Sequence, residues 1–281
     1  MSDELIAEMK LFGGQVKVAL EGTSEDSGKE ILEELYSFSR SLEKKFNFFD
    51  RRSELSGLNS CRAMEVSKEF LEVISYALDF CRETRGLYDI SLGRNILRRK
   101  KGEDVKDIDC SYEDITIDGR RVVLKNEGVM IDLGSVAKGY IVDLMIKFLK
   151  GKGVKSGLVD ARGDIYCFGD LGRKIGIQDP RDKNNVLGHL RLKNMGIATS
   201  GDFNQFDGTY EKCHILNQKD LILVSVVAPS LAEADIYSTV LFILGLREAR
   251  KFIEGREDIK AMLVDEDERV SYLNGFEELM F

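Results

Sequence analysis

The longest readable pattern in the chain runs from Val129 to Gly169. An apolar run, Val129–Leu133, reads as a strand that ends at Gly134, and an amphipathic segment follows at once. Ala137, Tyr140, Ile141, Leu144, Met145 and Phe148 recur at steps of three and four, the period of one buried helix face. Ser135 is the expected N-cap, and Gly151 with Gly153 closes the helix. Gly157–Val159 and Ile165–Phe168 then read as strands around the turn Asp160-Ala-Arg-Gly-Asp164. A glycine turn feeding a helix start aims free amide N–H groups and the positive end of the helix dipole at one spot. Lys138, in the first turn, adds a cation there. An anion site and an ordinary helix entry with a solvated lysine both fit this stretch.

The same reading elsewhere predicts a strand over Gln15–Leu20 and a polar loop over Glu21–Gly28. Helices follow over Ile31–Phe49 and, behind Ser67 as cap, Lys68–Thr84, separated by the polar stretch Asp50–Asn59. The charged segment Arg98–Asp109 reads as a surface loop or short helix. Asp114–Ile117 and Arg121–Leu124 flank Asp118-Gly119, a hairpin signal. Strands are expected at Lys174–Gln178 and Leu187–Leu192, and Ala198-Thr-Ser-Gly201 reads as a turn after an apolar strand. Leu221–Val227 is almost wholly apolar, the mark of a strand covered on both faces. Ser230 caps a helix through Leu244, a short helix covers Arg247–Ile253, and strands at Ile259–Val264 and Val270–Leu273 finish the chain. The order of elements predicts an α+β fold over residues 1–281, one domain of two intimate lobes, without repeats or a linker.

Composition narrows the function classes. At 281 residues, 43% hydrophobic and 32% charged, the chain has ample material for a core. A net charge of −8, spread along the chain, argues against nucleic acid or an anionic membrane as partner. No apolar run reaches a membrane span and the N-terminus lacks a signal pattern, so a cytoplasmic location is expected. Five scattered cysteines without a CxxC pair suit a reducing compartment better than a disulfide framework.

Four places carry candidate chemistry. Asp235 and Thr239 lie one helical turn apart and so share a face, a carboxylate and a hydroxyl suited to a hard cation such as Mg²⁺. A dipole-favoured acid beside a threonine bonded to its own helix reads the same way. Thr199, Ser200 and Gly201 offer hydroxyls and amides. His214 is one of two histidines, the other being His189 in an expected strand. Asn59 ends the polar stretch after the first helix.

Taken in order, S-E-L-S-G-L-N59, G86-L-Y-D-I-S91, I131-D-L-G-S-V-A-K-G-Y140 with Asp143, D160-A-R-G-D164, A198-T-S-G201, H214-I and A234-D-x-x-S-T239 resemble the ApbE family, the FAD:protein FMN transferases, over nearly the whole chain. The resemblance implies a T-fold-like domain of mixed and antiparallel sheets with packed helices and a flavin cleft between lobes. It implies FAD as substrate and Mg²⁺ as cofactor, with FMN passed to a Thr or Ser of a target protein and AMP released. It places Asn59, Tyr88, Gly134, Ser135, Ala137, Lys138, Asp160, Thr199, Ser200 and Gly201 on FAD. Asp235 and Thr239, with a carbonyl near Ala137, match the metal ligands; His214 and Lys138 match the catalytic groups, the histidine taking the acceptor's proton. The oligomeric state is left open, a homodimer included.

The chain departs from the family pattern in lacking the Trp of a frequent Trp-Gly pair and the usual lipoprotein signal, and at two points of the site. After the histidine the family reads H-I-I-D-P-x-T-G, whereas this chain reads His214-Ile-Leu-Asn-Gln-Lys-Asp220. The usual G-G-D is Ala-Arg-Gly-Asp164. Hydrolysis of FAD to FMN and AMP, and FAD binding without turnover, therefore stand beside flavin transfer as readings of the sequence.

Overall fold

A computed structural model describes residues 4–104, 106–182, 184–201 and 220–281. An eight-stranded sheet in the order β1-β2-β6-β7-β10-β11-β12-β13 is its centre, and every neighbouring pair in it is antiparallel. The strands are β1 (Glu4–Leu11), β2 (Gly14–Glu21), β6 (Ser156–Ala161), β7 (Asp164–Phe168), β10 (Met195–Gly201), β11 (Leu221–Ala228), β12 (Lys260–Asp265) and β13 (Val270–Leu273). A small sheet joins β3 (Ala63–Glu65), β5 (Arg121–Leu124) and β4 (Ile115–Asp118), and β8 (Arg173–Gln178) pairs with β9 (Val186–Leu192) as a ribbon. The helices are α1 (Glu25–Phe46), α2 (Glu54–Cys61), α3 (Lys68–Glu83), α4 (Gly93–Lys100), α5 (Ala137–Gly151) and α6 (Leu231–Phe252). The fold is α+β, as expected.

Two hydrophobic cores lie on opposite faces of the main sheet. The larger unites the helices with Val159, Phe168, Ala198, Val224 and Val226. The smaller packs Ile175, Ile177, Leu190 and Leu192 of the ribbon against Cys167, Ile197, Leu223 and Val227. β11 is therefore covered on both faces, which is why its sequence is an apolar run rather than an alternation. A bulge between Leu221 and Leu223 turns Ile222 and Leu223 both toward the smaller core.

Several elements differ from the sequence reading. β1 was not expected: its charged positions alternate outward along a sheet edge, the composition that protects an edge from pairing with other chains. The polar stretch before Asn59, given no element in the sequence reading, forms α2, started by Ser53, whose side chain accepts from Ser56 N. Val129–Leu133 forms no strand; it is an extended buried segment with a single bridge, Met130 to Leu92. Thr199–Gly201 is not a turn but the end of β10. Helix α1 also starts earlier than expected, within the predicted loop. The two expected C-terminal helices run as one element broken at Gly245, whose φ of 76° and ψ of 167° lie outside the helical region.

Candidate active site

The ends of β7 and β10 meet the first turn of α5 at a cleft of about 1390 Å³. Its walls come from the β1–β2 turn, the end of α1, the β6–β7 turn and the inner face of β8. Of the residues singled out in the sequence, Gly134, Ala137, Lys138, Asp160 and Thr199 line it.

The approach to α5 is built backward from its buried segment. Asn59, on α2, donates through Nδ2 to Ile131 O (2.9 Å) and accepts Ile131 N–H through Oδ1 (2.7 Å). One side chain thus replaces the strand partner that Ile131 lacks. Asp132, also buried, accepts Gly134 N–H at 2.6 Å and shapes the turn. Ser135 does not cap the helix; Val136 holds that position, and the Ser135 hydroxyl lies 2.7 Å from the Tyr88 hydroxyl. Tyr88 is buried, and burial holds its phenol well above the usual range. The amides expected to be free are therefore partly engaged: Gly134 N–H by Asp132, and Gly139 N–H by Asp235 Oδ2 at 3.1 Å.

That last bond joins α5 to α6. The helices meet at Gly139, where a Cβ would lie 2.4 Å from Leu231 O, so only glycine permits the approach. Asp143, one turn on along α5, accepts Leu231 N–H (2.8 Å) and Ala232 N–H (2.9 Å), filling orphan donors at the start of α6. Burial pushes the Asp143 carboxyl up to about 6, against the pull of those two backbone bonds. Ser230 and Glu233 close a capping box on the same helix end. The outcome is that Asp235, one turn into α6, is delivered to the first turn of α5.

Asp235 is buried, and desolvation raises its pKa while the nearby Lys138 charge opposes the rise. Lys138 forms an ion pair with the buried Asp164, whose other oxygen accepts Thr199 N–H at 3.1 Å. Strand periodicity sends Thr199 and Ser200 to opposite faces. Thr199 lines the cleft and its hydroxyl lies 2.8 Å from Ser225 Oγ. Ser200 reaches α6, with its Oγ 2.8 Å from Ser238 Oγ and 3.2 Å from Thr239 Oγ1. Thr239 also donates to Asp235 O at 3.4 Å, the bond within its own helix that the sequence left open. Asp160 closes the β6–β7 turn by accepting Gly163 N–H at 2.8 Å.

The donors gathered near Asp235 are hard oxygens, a carboxylate and hydroxyls, the set that suits Mg²⁺ rather than a thiophilic ion. No group of three His, Cys, Asp or Glu side chains that could hold a metal occurs among the described residues. An ion here would rest on one charged ligand, neutral oxygens and substrate phosphates.

The model of the ApbE family matches residues 12–263. The chain belongs to the ApbE family. The ApbE protein of Thermotoga maritima has the same fold, with a TM-score of 0.87 at 24% identity, covering 99% of this chain and 100% of that one. An FAD:protein FMN transferase of Treponema pallidum is 25% identical over 85% of this chain and 78% of its own length. Another of that name from Klebsiella pneumoniae is 30% identical over 154 residues, 51% of this chain and 48% of the relative.

Within this ApbE chain, the segments that identify the family converge on one place. The exception is His214, which lies outside the described residues, as do Cys213 and Ile215. Reading the sequence missed Asp164 as the partner of Lys138, although it closes the quoted D-A-R-G-D segment. It missed Glu43, which accepts Phe12 N–H at 2.6 Å at the cleft wall and is buried on α1 without any motif to mark it. Gly201 ends β10, and Ala137 opens α5 with its side chain buried. No helix among the described residues is long and apolar enough to cross a membrane.

Proposed function

We propose that the protein is an FAD:protein FMN transferase that uses Mg²⁺ and joins FMN to a Thr or Ser hydroxyl of a target protein, releasing AMP. The observation that carries this reading is the buried Asp235 carboxylate, held by Gly139 N–H against the first turn of α5, beside Lys138 at the cleft. Membership of the ApbE family and the names of its relatives support the choice of flavin substrate.

The cleft's own residues have these roles. Lys138 exchanges Asp164 for the pyrophosphate oxygens of FAD when the substrate enters, keeping its charge paired throughout. Asn59, through Ile131, and Asp132, through Gly134, hold the chain on which Lys138 is mounted. Thr199 presents the β10 wall to the flavin nucleotide. Asp235 and Thr239, with the Ala137 carbonyl, would hold Mg²⁺, which when bound supplies charge neutralisation for phosphoryl transfer. His214 accepts the proton of the attacking hydroxyl.

The test is incubation with FAD, Mg²⁺ and a candidate acceptor, reading AMP release and covalent flavin on the acceptor. Wild-type protein is expected to yield both and Asp235→Ala neither, with its circular dichroism unchanged. AMP without covalent label would replace transfer by hydrolysis, and no AMP under any condition would refute catalysis on FAD.

A further inference from the structure

Ala161 and Asp164 pair across the β6–β7 hairpin, leaving Arg162 and Gly163 as its two turn residues. Both have positive φ, 63° and 98°. The first position thus lies in the left-handed region, where glycine is at ease and a long side chain is uncommon. Arginine nevertheless occupies it, and its side chain is braced. Nη1 donates to Phe12 O at 2.8 Å. The chain crosses the β1–β2 turn at Gly14, where a Cβ would lie 2.7 Å from Arg162 Nε. The facing turn is therefore glycine where the arginine passes.

Arg162 lines the same cleft as Lys138. The other charges of the cleft wall among the described residues are already engaged: Lys138 by Asp164, Glu43 by Arg40, Asp132 by Gly134 N–H and Asp160 by Gly163 N–H. Arg162 is exposed and makes no ion pair with any described residue; its bond to Phe12 O leaves most of its donors unused. Its Cα is two residues from that of Asp164, within about 7 Å. The lysine–carboxylate pair and the free guanidinium therefore flank one short turn.

We propose that Arg162, a cation of the cleft with no ion pair among the described residues, binds the diphosphate of the dinucleotide substrate. The inference rests on the function proposed above. A guanidinium presents a rigid fork that matches phosphate oxygens two at a time, and its charge does not depend on pH near neutrality. Because Lys138 is neutralised by Asp164 before substrate arrives, Arg162 supplies, among the described residues of the cleft wall, the positive charge left uncompensated for an incoming diphosphate.

The experiment compares wild type, Arg162→Gly and Arg162→Lys in equilibrium titrations with FAD and with riboflavin, each with Mg²⁺ and at two salt concentrations. Glycine suits the positive φ, so the turn is retained, and the melting temperature checks this. The expected result is an FAD Kd about tenfold weaker in Arg162→Gly, a shallower salt dependence, and partial recovery in Arg162→Lys. Riboflavin, which has no phosphate, should bind all three alike. Unchanged FAD affinity in Arg162→Gly overturns the proposal, and so does an equal loss for riboflavin, which would mean the turn only shapes the cleft. Unchanged FAD affinity with a raised KM for the acceptor overturns it in favour of a contact with the acceptor. Failure of the wild type to bind FAD would overturn the flavin reading as well, a result distinct from the other three.

Discussion

Asp235 carries an expensive charge. Its carboxylate is buried, burial raises its pKa, and its bond to Gly139 N–H offsets only part of the desolvation. Asp235→Asn keeps an oxygen for that N–H and discards the charge, so it is expected to leave the thermal midpoint unchanged or raised. Mg²⁺-dependent AMP release should fall by two orders of magnitude or more, about the loss of a charged group that orients phosphoryl transfer. Activity near wild type would refute the proposal that Asp235 holds a metal ion. Lys138→Met should weaken FAD binding, and because Asp164 then loses its ion partner while buried, stability should also drop; calorimetry and FAD titration on one sample read both. Asp143 behaves differently. Its folded-state carboxyl is raised to about 6 from 3.8, so the folded state holds the proton more tightly than the unfolded chain. The stability this lends is complete below about pH 4 and is lost as pH rises through about 6. Glu233 and Asp235 on α6, Tyr76 on α3 and Tyr166 on β7 surround it electrostatically. Chemical denaturation from pH 4 to 7 should show Asp143→Asn lacking this component, so wild type loses stability relative to the variant as pH rises. A gap independent of pH would refute the assignment.

Between elements, the decisive contact is the crossing of α5 and α6. A methyl at residue 139 would meet Leu231 O at 2.4 Å and Ala232 Cα at 2.8 Å, both backbone and unable to yield alone. Gly139→Ala is expected to cost about 1–3 kcal/mol by overpacking, more than the gain in helix propensity returns, and to weaken metal dependence by displacing Asp235. A variant as stable as wild type would show that the helices can separate freely. The legibility of elements follows from what each buries. Helix α3 shows a clean apolar face behind Ser67, which accepts Phe70 N–H, and it was readable almost to the residue. The β4–β5 hairpin was readable from Asp118-Gly119, with φ 56° at Gly119. α2 was not, because it buries little beyond Leu55 and Leu58 and otherwise shows hydroxyls and small residues. Val129–Leu133 has a strand's composition but lies beside Asn59 and Ser91 rather than along a sheet, and no local pattern reveals that partner. The motifs marked Lys138, Asp235 and Thr199. The pairing of Lys138 with Asp164 depends on a hairpin meeting a helix, a long-range fact that spacing does not carry.

For the molecule as a whole, the main sheet is covered by helices on one face and by the β8–β9 ribbon on the other over its centre. Every residue of β11 is buried, whereas the edge strands are open to solvent, β1 at Glu4, Glu8 and Lys10 and β13 at Val270 and Tyr272. Amide hydrogen exchange is therefore expected to be slowest in β11 and its neighbours β10 and β12, and fastest in β1 and β13. Equal protection across the sheet would mean that it opens only as a unit. The cleft opens beside these central strands, lined by Ile197 and Thr199 of β10 and Leu223 of β11.

The β6–β7 turn has a bearing on how such a cleft diversifies. Its ends are locked by the Ala161–Asp164 pair and by Asp160, and position 162, which already carries a side chain at φ 63°, can change without disturbing strand register. A single codon at position 162 therefore resets the electric charge of the cleft mouth while the catalytic scaffold stays in place. That makes the hairpin tip a convenient handle for redesigning which anionic ligands the cleft admits.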